Sequence, residues 1–69
     1  MRSGMTSDEY RRVLEQLNLN PASAARAIGY SDRVSYRYSR GEGAIPRPVA
    51  KLLRLAAATK LTPEQLEAL

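Results

Sequence analysis

The sequence predicts an all-α domain of five short helices. Three observations carry that expectation. Apolar residues recur at spacings of three and four, and no segment alternates with period two. Thr6, Asn20, Ser31 and Thr62 each stand just before such a stretch, where a helix cap belongs. Glycines and prolines fall at the edges of the stretches. With 69 residues and no cysteine, the chain is expected to be one small domain without disulfides or thiolate metal sites. A domain of that size buries only about 60% of its unfolded surface. It depends on a compact, locally connected core or on a partner subunit.

Residues 1–5 show no periodicity and are expected to form a disordered leader, with the domain running over 6–69. Thr6-Ser7-Asp8-Glu9 reads as a capping box, with Thr6 accepting from the Glu9 amide and Glu9 reaching back. Tyr10, Val13, Leu14 and Leu17 then line one apolar face, so the first helix is placed at 7–17. Asn20-Pro21 opens the second, as cap and first helical residue. Ala22, Ala24, Ala25 and Ile28 follow, and Gly29 closes it, because glycine accepts the positive φ of a helix end. Ser31 caps a third helix over 32–40, which stops at Gly41. Residues 42–48 read as a loop, with Gly43, Pro46 and Pro48 against a long helix there. Val49, Leu52, Leu53 and Ala56 mark a fourth helix. Thr62-Pro63-Glu64-Gln65 caps a fifth, over 63–69.

The formal net charge is +4 and the isoelectric point about 10.0, with nine arginines against two lysines. Arginine's planar fork suits phosphates and guanine edges. The charge is uneven. Residues 26–47 hold five arginines against Asp32 and Glu42, a net of +3, whereas 62–69 hold Glu64 and Glu67 and no base. A basic middle with an acidic end suggests a polyanion met by one face. The stretch "GYSDRVSYRYSRG", residues 29–41, concentrates that charge. Two short helices meet there across Gly29-Tyr30-Ser31, a three-residue turn that fits either an αα-corner or a helix-turn-helix, whose second helix enters the DNA major groove. Arg33, Arg37 and Arg40 stand at i, i+4 and i+7 with Tyr36 among them, on one stripe without an acid to pair at i+4. Such a stripe is either a solvated face or a nucleic-acid contact, and the unmixed sign favours the contact. Val34, Ser35 and Tyr38 point the other way, toward the second helix, whose Ala24 and Ala25 permit close approach. Tyr38 reads as core, Tyr36 as exposed, and Tyr30 fits either place.

Residues 19–55 resemble the helix-turn-helix domain of phage repressors and Cro proteins, the Cro/CI-like regulators. Leu19 and Asn20 match that family's apolar residue and cap before the second helix. Ala25 matches its small residue at the tight helix contact, and Ile28-Gly29 its apolar-glycine end. Ser31, Tyr38, Gly41 and Pro46 match the cap, the aromatic, the closing glycine and the following proline, and Leu52-Leu53-Arg54-Leu55 the apolar fourth helix. The register holds without gaps over 17–46. Ser35 departs from the family's usual valine or isoleucine, which implies closer packing or a weaker core. The "SDRV" of residues 31–34 also resembles small anti-CRISPR-associated autorepressors.

The resemblance implies a lambda-repressor-like fold and a double-stranded DNA partner. It places base reading at Asp32, Arg33, Tyr36 and Arg37. Phosphate anchoring falls at Asn20, Pro21 and Ala22, and again at Ala44, Ile45 and Arg47, with Ser31 and Arg40 joining that set. Helix N-termini bind phosphate through free amides, so Ala22 can serve, whereas Pro21 has no N–H to give.

Other classes fare worse. The chain has no His and no Cys, and its two Asp and five Glu show no metal-ligand spacing, so neither an enzyme nor a metal, cofactor or small-molecule ligand is expected. The first ten residues hold no apolar run of a signal peptide, and 49–61, the most apolar stretch, falls short of the ~20 residues of a membrane span. A cytoplasmic regulator, most simply a repressor, is the expectation. The competing class is an antitoxin that holds a partner protein as well as DNA. A homodimer would double the contacts of one helix in one groove. The apolar Leu61, Leu66 and Leu69 of the fifth helix either dock on the first helix of their own chain or, with Leu55, form that interface.

Overall fold

The computed structural model describes residues 4–69. Five helices follow in order: α1 (Ser7–Gln16), α2 (Pro21–Ile28), α3 (Asp32–Arg40), α4 (Arg47–Thr59) and α5 (Pro63–Glu67), and no strand forms among the described residues. The all-α class and the five elements match the expectation. No helix among the described residues is long and apolar enough to cross a membrane.

Side-chain caps explain four of the five starts. Thr6 Oγ1 accepts from the Glu9 amide at 3.1 Å, and Ser31 Oγ from the Val34 amide at 3.2 Å. At α2 the box is reciprocal, with Asn20 Oδ1 accepting from the Ser23 amide at 2.8 Å and the Asn20 amide donating to Ser23 Oγ at 2.9 Å. Thr62 and Gln65 exchange the same pair of bonds at α5. Four helices also end alike. An amide reaches back five residues, from Leu19 to Leu14, Tyr30 to Ala25, Glu42 to Arg37 and Leu61 to Ala56. Each of these ends needs one residue at positive φ. Gly29 and Gly41 supply it in two cases, and Asn18 (φ 60°) and Lys60 (φ 56°) in the others.

The helices enclose one core. Its members include Tyr10, Val13 and Leu14 of α1 with Leu17 of the cap, Ala24 of α2, Ala50, Leu53 and Ala56 of α4, and Met5, Leu19, Ile45 and Leu66. α1 packs on α3 and α4, and α2 on α3 and α5. Ala24, Ala25, Ala50 and Ala56 are wholly buried, so helix axes approach closely at several crossings.

Five expectations are corrected. Met5 is buried in the core, so the leader does not extend to it; Met1, Arg2 and Ser3 lie outside the described residues. α1 gives up its last expected residue, Leu17, to the cap. Glu9 does not close its capping box: its carboxylate takes the Arg54 guanidinium at 2.9 and 3.0 Å, because a two-pronged charged bond outcompetes one backbone amide. That bond holds the Glu9 carboxyl below its ordinary value and ties α1 to α4. α4 begins at Arg47 rather than Val49, since Pro48 in a first turn forfeits no helical bond. α5 stops at Glu67, and its Leu66 is only 2% exposed within the single chain, docked where α5 meets α2.

Candidate nucleic-acid interface

The placement of α3 starts from its inner face. Ser35 and Ser39 are its buried residues. Ser35 Oγ lies 2.6 Å from the hydroxyl of Tyr10, which lies 2.7 Å from that of Tyr30. Ser39 Oγ donates to the Tyr36 carbonyl, and the Arg11 guanidinium donates to the carbonyl of Ser39. The Tyr38 ring stands edge-on to two others, 5.7 Å from Tyr10 at 80° and 5.6 Å from Tyr30 at 78°. Tyr30 and Tyr38 are thus structural. Burial, reinforced by the bond to Tyr10, pushes the Tyr30 phenol well above its ordinary value. No buried side-chain polar atom among the described residues lacks a partner. The Ser35 departure is therefore matched by a hydroxyl from α1.

The outer face is open. Asp32, Arg33, Tyr36 and Arg37 are all exposed, Tyr36 by 43%. Their neighbours Val34 and Tyr38 are half-buried behind them. Arg33, Arg37 and Arg47 form no salt bridge among the described residues, whereas Arg11, Arg40 and Arg54 pair with Asp8, Glu42 and Glu9. The acid missing from the arginine stripe thus comes from the next loop, where Glu42 Oε2 stands 3.3 Å from Arg40 Nε. The pair is more than half exposed on both sides and so is worth little, which leaves Arg40 able to exchange it for a phosphate. A hollow of about 240 Å³ opens between Val34, Arg37 and Tyr38 of α3 and Gly43 and Ala44 of the loop.

The flanking positions divide. Asn20 is exposed, with its Oδ1 spent on the Ser23 amide, so the open amide of the α2 start belongs to the half-buried Ala22. Ser31 is exposed, and its hydroxyl caps α3. Ala44 and Arg47 are exposed on either side of Ile45, which is 4% exposed and places its side chain in the core. α4 has no side-chain cap and no acid in its first turn, and it begins with a cation. Charge of that sign disfavours a helix start unless an anion arrives.

The four leucines divide as well. Leu66 is core and Leu61 half-buried against it, so Leu66 is withdrawn from the surface on which an interface could form. Leu55 and Leu69 are 61% and 82% exposed. A larger hollow, about 530 Å³, lies elsewhere, between the ends of α1 and α4 and the start of α5.

Sequence reasoning missed Tyr10 and Arg11 as supports of α3. Tyr10 was legible only as part of an apolar face. Its hydroxyl was the available signal, since a buried tyrosine needs a polar partner. Compared with known proteins, the chain matches no family model and no curated protein. The functional reading therefore rests on residues and geometry.

Proposed function

We propose that this chain is a sequence-specific double-stranded DNA-binding regulator that lays α3 in the major groove. The observation that carries this reading is the contrast across α3. Arg33, Arg37, Tyr36 and Asp32 face outward without salt bridges among the described residues, while the opposite side is held by hydroxyl bonds and rings. Arginine can give two parallel bonds to guanine O6 and N7, and the Tyr36 ring can meet a thymine methyl. Ala22, Ser31, Arg40, Ala44 and Arg47 surround that face and supply phosphate contacts, which set register without reading sequence.

The reading extends to a cytoplasmic repressor acting as a homodimer on a palindromic operator. One α3 per groove offers few base contacts, and a two-fold pair doubles them, with half-sites about 34 Å apart or a multiple of that. Leu55 and Leu69 are the exposed apolar residues available to such an interface.

Selection of binding sites from random duplex DNA tests the proposal. The expected product is an inverted repeat bound by two chains. Recovery of no preferred sequence, with weak binding that vanishes with salt, would refute sequence reading.

A further inference from the structure

We infer that Tyr10, on α1, is a specificity-positioning residue: through its hydroxyl bond to Ser35 it sets the rotation and height of α3 against the DNA. The inference rests on the DNA-binding reading above and adds to it a residue that touches no DNA.

The geometry carries it. Tyr10 and Ser35 are both wholly buried, 25 positions apart, with oxygens 2.6 Å apart. The same phenol oxygen holds Tyr30 at 2.7 Å in the turn that leads into α3. One atom of α1 therefore fixes both the approach to α3 and its inner face. The adjacent Arg11 adds a bond to the Ser39 carbonyl one turn further on, and the Tyr10 ring abuts Tyr38 between them. Ser35, Tyr38 and Ser39 are gripped from behind, and Asp32, Arg33, Tyr36 and Arg37 project in front.

A polar grip differs in kind from an apolar one. Hydrogen bonds are directional and weaken steeply as the donor angle falls below about 120°. Apolar contact is non-directional and tolerates sliding. A helix slipping by one residue moves about 1.5 Å and turns about 100°, which would carry Arg33 and Arg37 away from any base they read. Two-pronged arginine contacts need both donors aligned, so small displacements fall on specific binding and spare phosphate contacts, which can follow the backbone.

The test is Tyr10→Phe, with Ser35→Ala as the milder variant should the first not fold. Affinity is measured for the selected site and for random duplex across a salt series, and the tilt of α3 relative to α2 by residual dipolar couplings of their amides. The selected site is expected to weaken about tenfold, with random-duplex affinity within twofold and the salt slope unchanged. A merely structural role would lower both affinities in proportion to the unfolded fraction. The double variant Tyr10→Phe/Ser35→Ala separates the cases further. Removing both hydroxyls relieves the orphaned serine and should recover stability, while specificity should stay low. Recovery of specificity along with stability would overturn the inference, as would unchanged couplings in Tyr10→Phe. If the wild-type chain shows no preferred site, the DNA reading falls, and the couplings still decide whether Tyr10 orients α3.

Discussion

Helix α1 carries two seams that differ in chemistry. Toward α4 it offers Val13 and Leu14, with Leu17 of its cap, to a core containing Leu53, Ala50 and Ala56, bordered by the Glu9–Arg54 pair. Toward α3 it offers the Tyr10 hydroxyl and the Arg11 guanidinium to Ser35 and the Ser39 carbonyl. The first seam buries aliphatic side chains, the burial that stabilises a small domain. The second contributes little net energy, since an intramolecular hydrogen bond largely replaces one to water. It contributes location instead. α3 is held to α1 by directional bonds beside its ring contacts, and α4 chiefly by apolar contact.

The largest effect should come from breaking an apolar contact. Leu66→Glu puts a carboxylate where a leucine is almost fully buried. A domain of this size has about 5 kcal/mol of stability, and that substitution consumes it. Circular dichroism should show loss of helix at room temperature. A folded monomer would return Leu66 to the surface and overturn the packing described here.

On the outer face of α3 the effects should be on binding alone. Arg33→Ala or Arg37→Ala should lower specific affinity by about 1–3 kcal/mol per lost contact, with the urea midpoint barely moved. Equal affinity for the selected site in both variants would show that α3 does not read it. Arg47→Ala should act differently, weakening all duplexes alike and reducing the salt slope by about one per half-site. A changed base preference with an intact slope would move Arg47 into the reading set.

The polar seam can be probed by alkali. Folding raises the Tyr30 phenol above its ordinary value of 10.0 because of burial and the bond to Tyr10. Above pH 10 the unfolded chain releases that proton first, so the contribution is fully present below pH 10 and is lost as pH rises toward the folded value. The limiting slope for one proton is about 1.4 kcal/mol per pH unit. Urea midpoints measured above pH 10 should fall more steeply for wild type than for Tyr30→Phe. Parallel curves would mean that Tyr30 is not held in the hydroxyl chain.

The smallest effect concerns a cap. Lys60 closes α4 at φ 56°, where a side chain costs about 1 kcal/mol and glycine does not. Lys60→Gly should raise the thermal midpoint by a few degrees. A lower midpoint would mean that the stem of Lys60 packs usefully in the hollow it lines with Leu17 and Leu61.

Much of this was legible because helix ends are local. Asn20-Pro21, Gly29, Ser31, Gly41 and Thr62-Pro63 each act within a few residues, and α2 and α3 have the bounds those residues imply. The exposure of Arg33, Tyr36 and Arg37 was equally readable from helical spacing. What only the tertiary structure decided are choices among partners far apart in the chain. Glu9 had its own helix start at hand and took Arg54, 45 positions away. Met5 left an aperiodic leader for the core, and Leu66 turned inward onto the subunit rather than outward. Tyr10, read as one more apolar residue, carries the hydroxyl that satisfies Ser35. Spacing tells which residues share a face; which face meets which depends on how the helices pack, and competition for a buried position is settled only there.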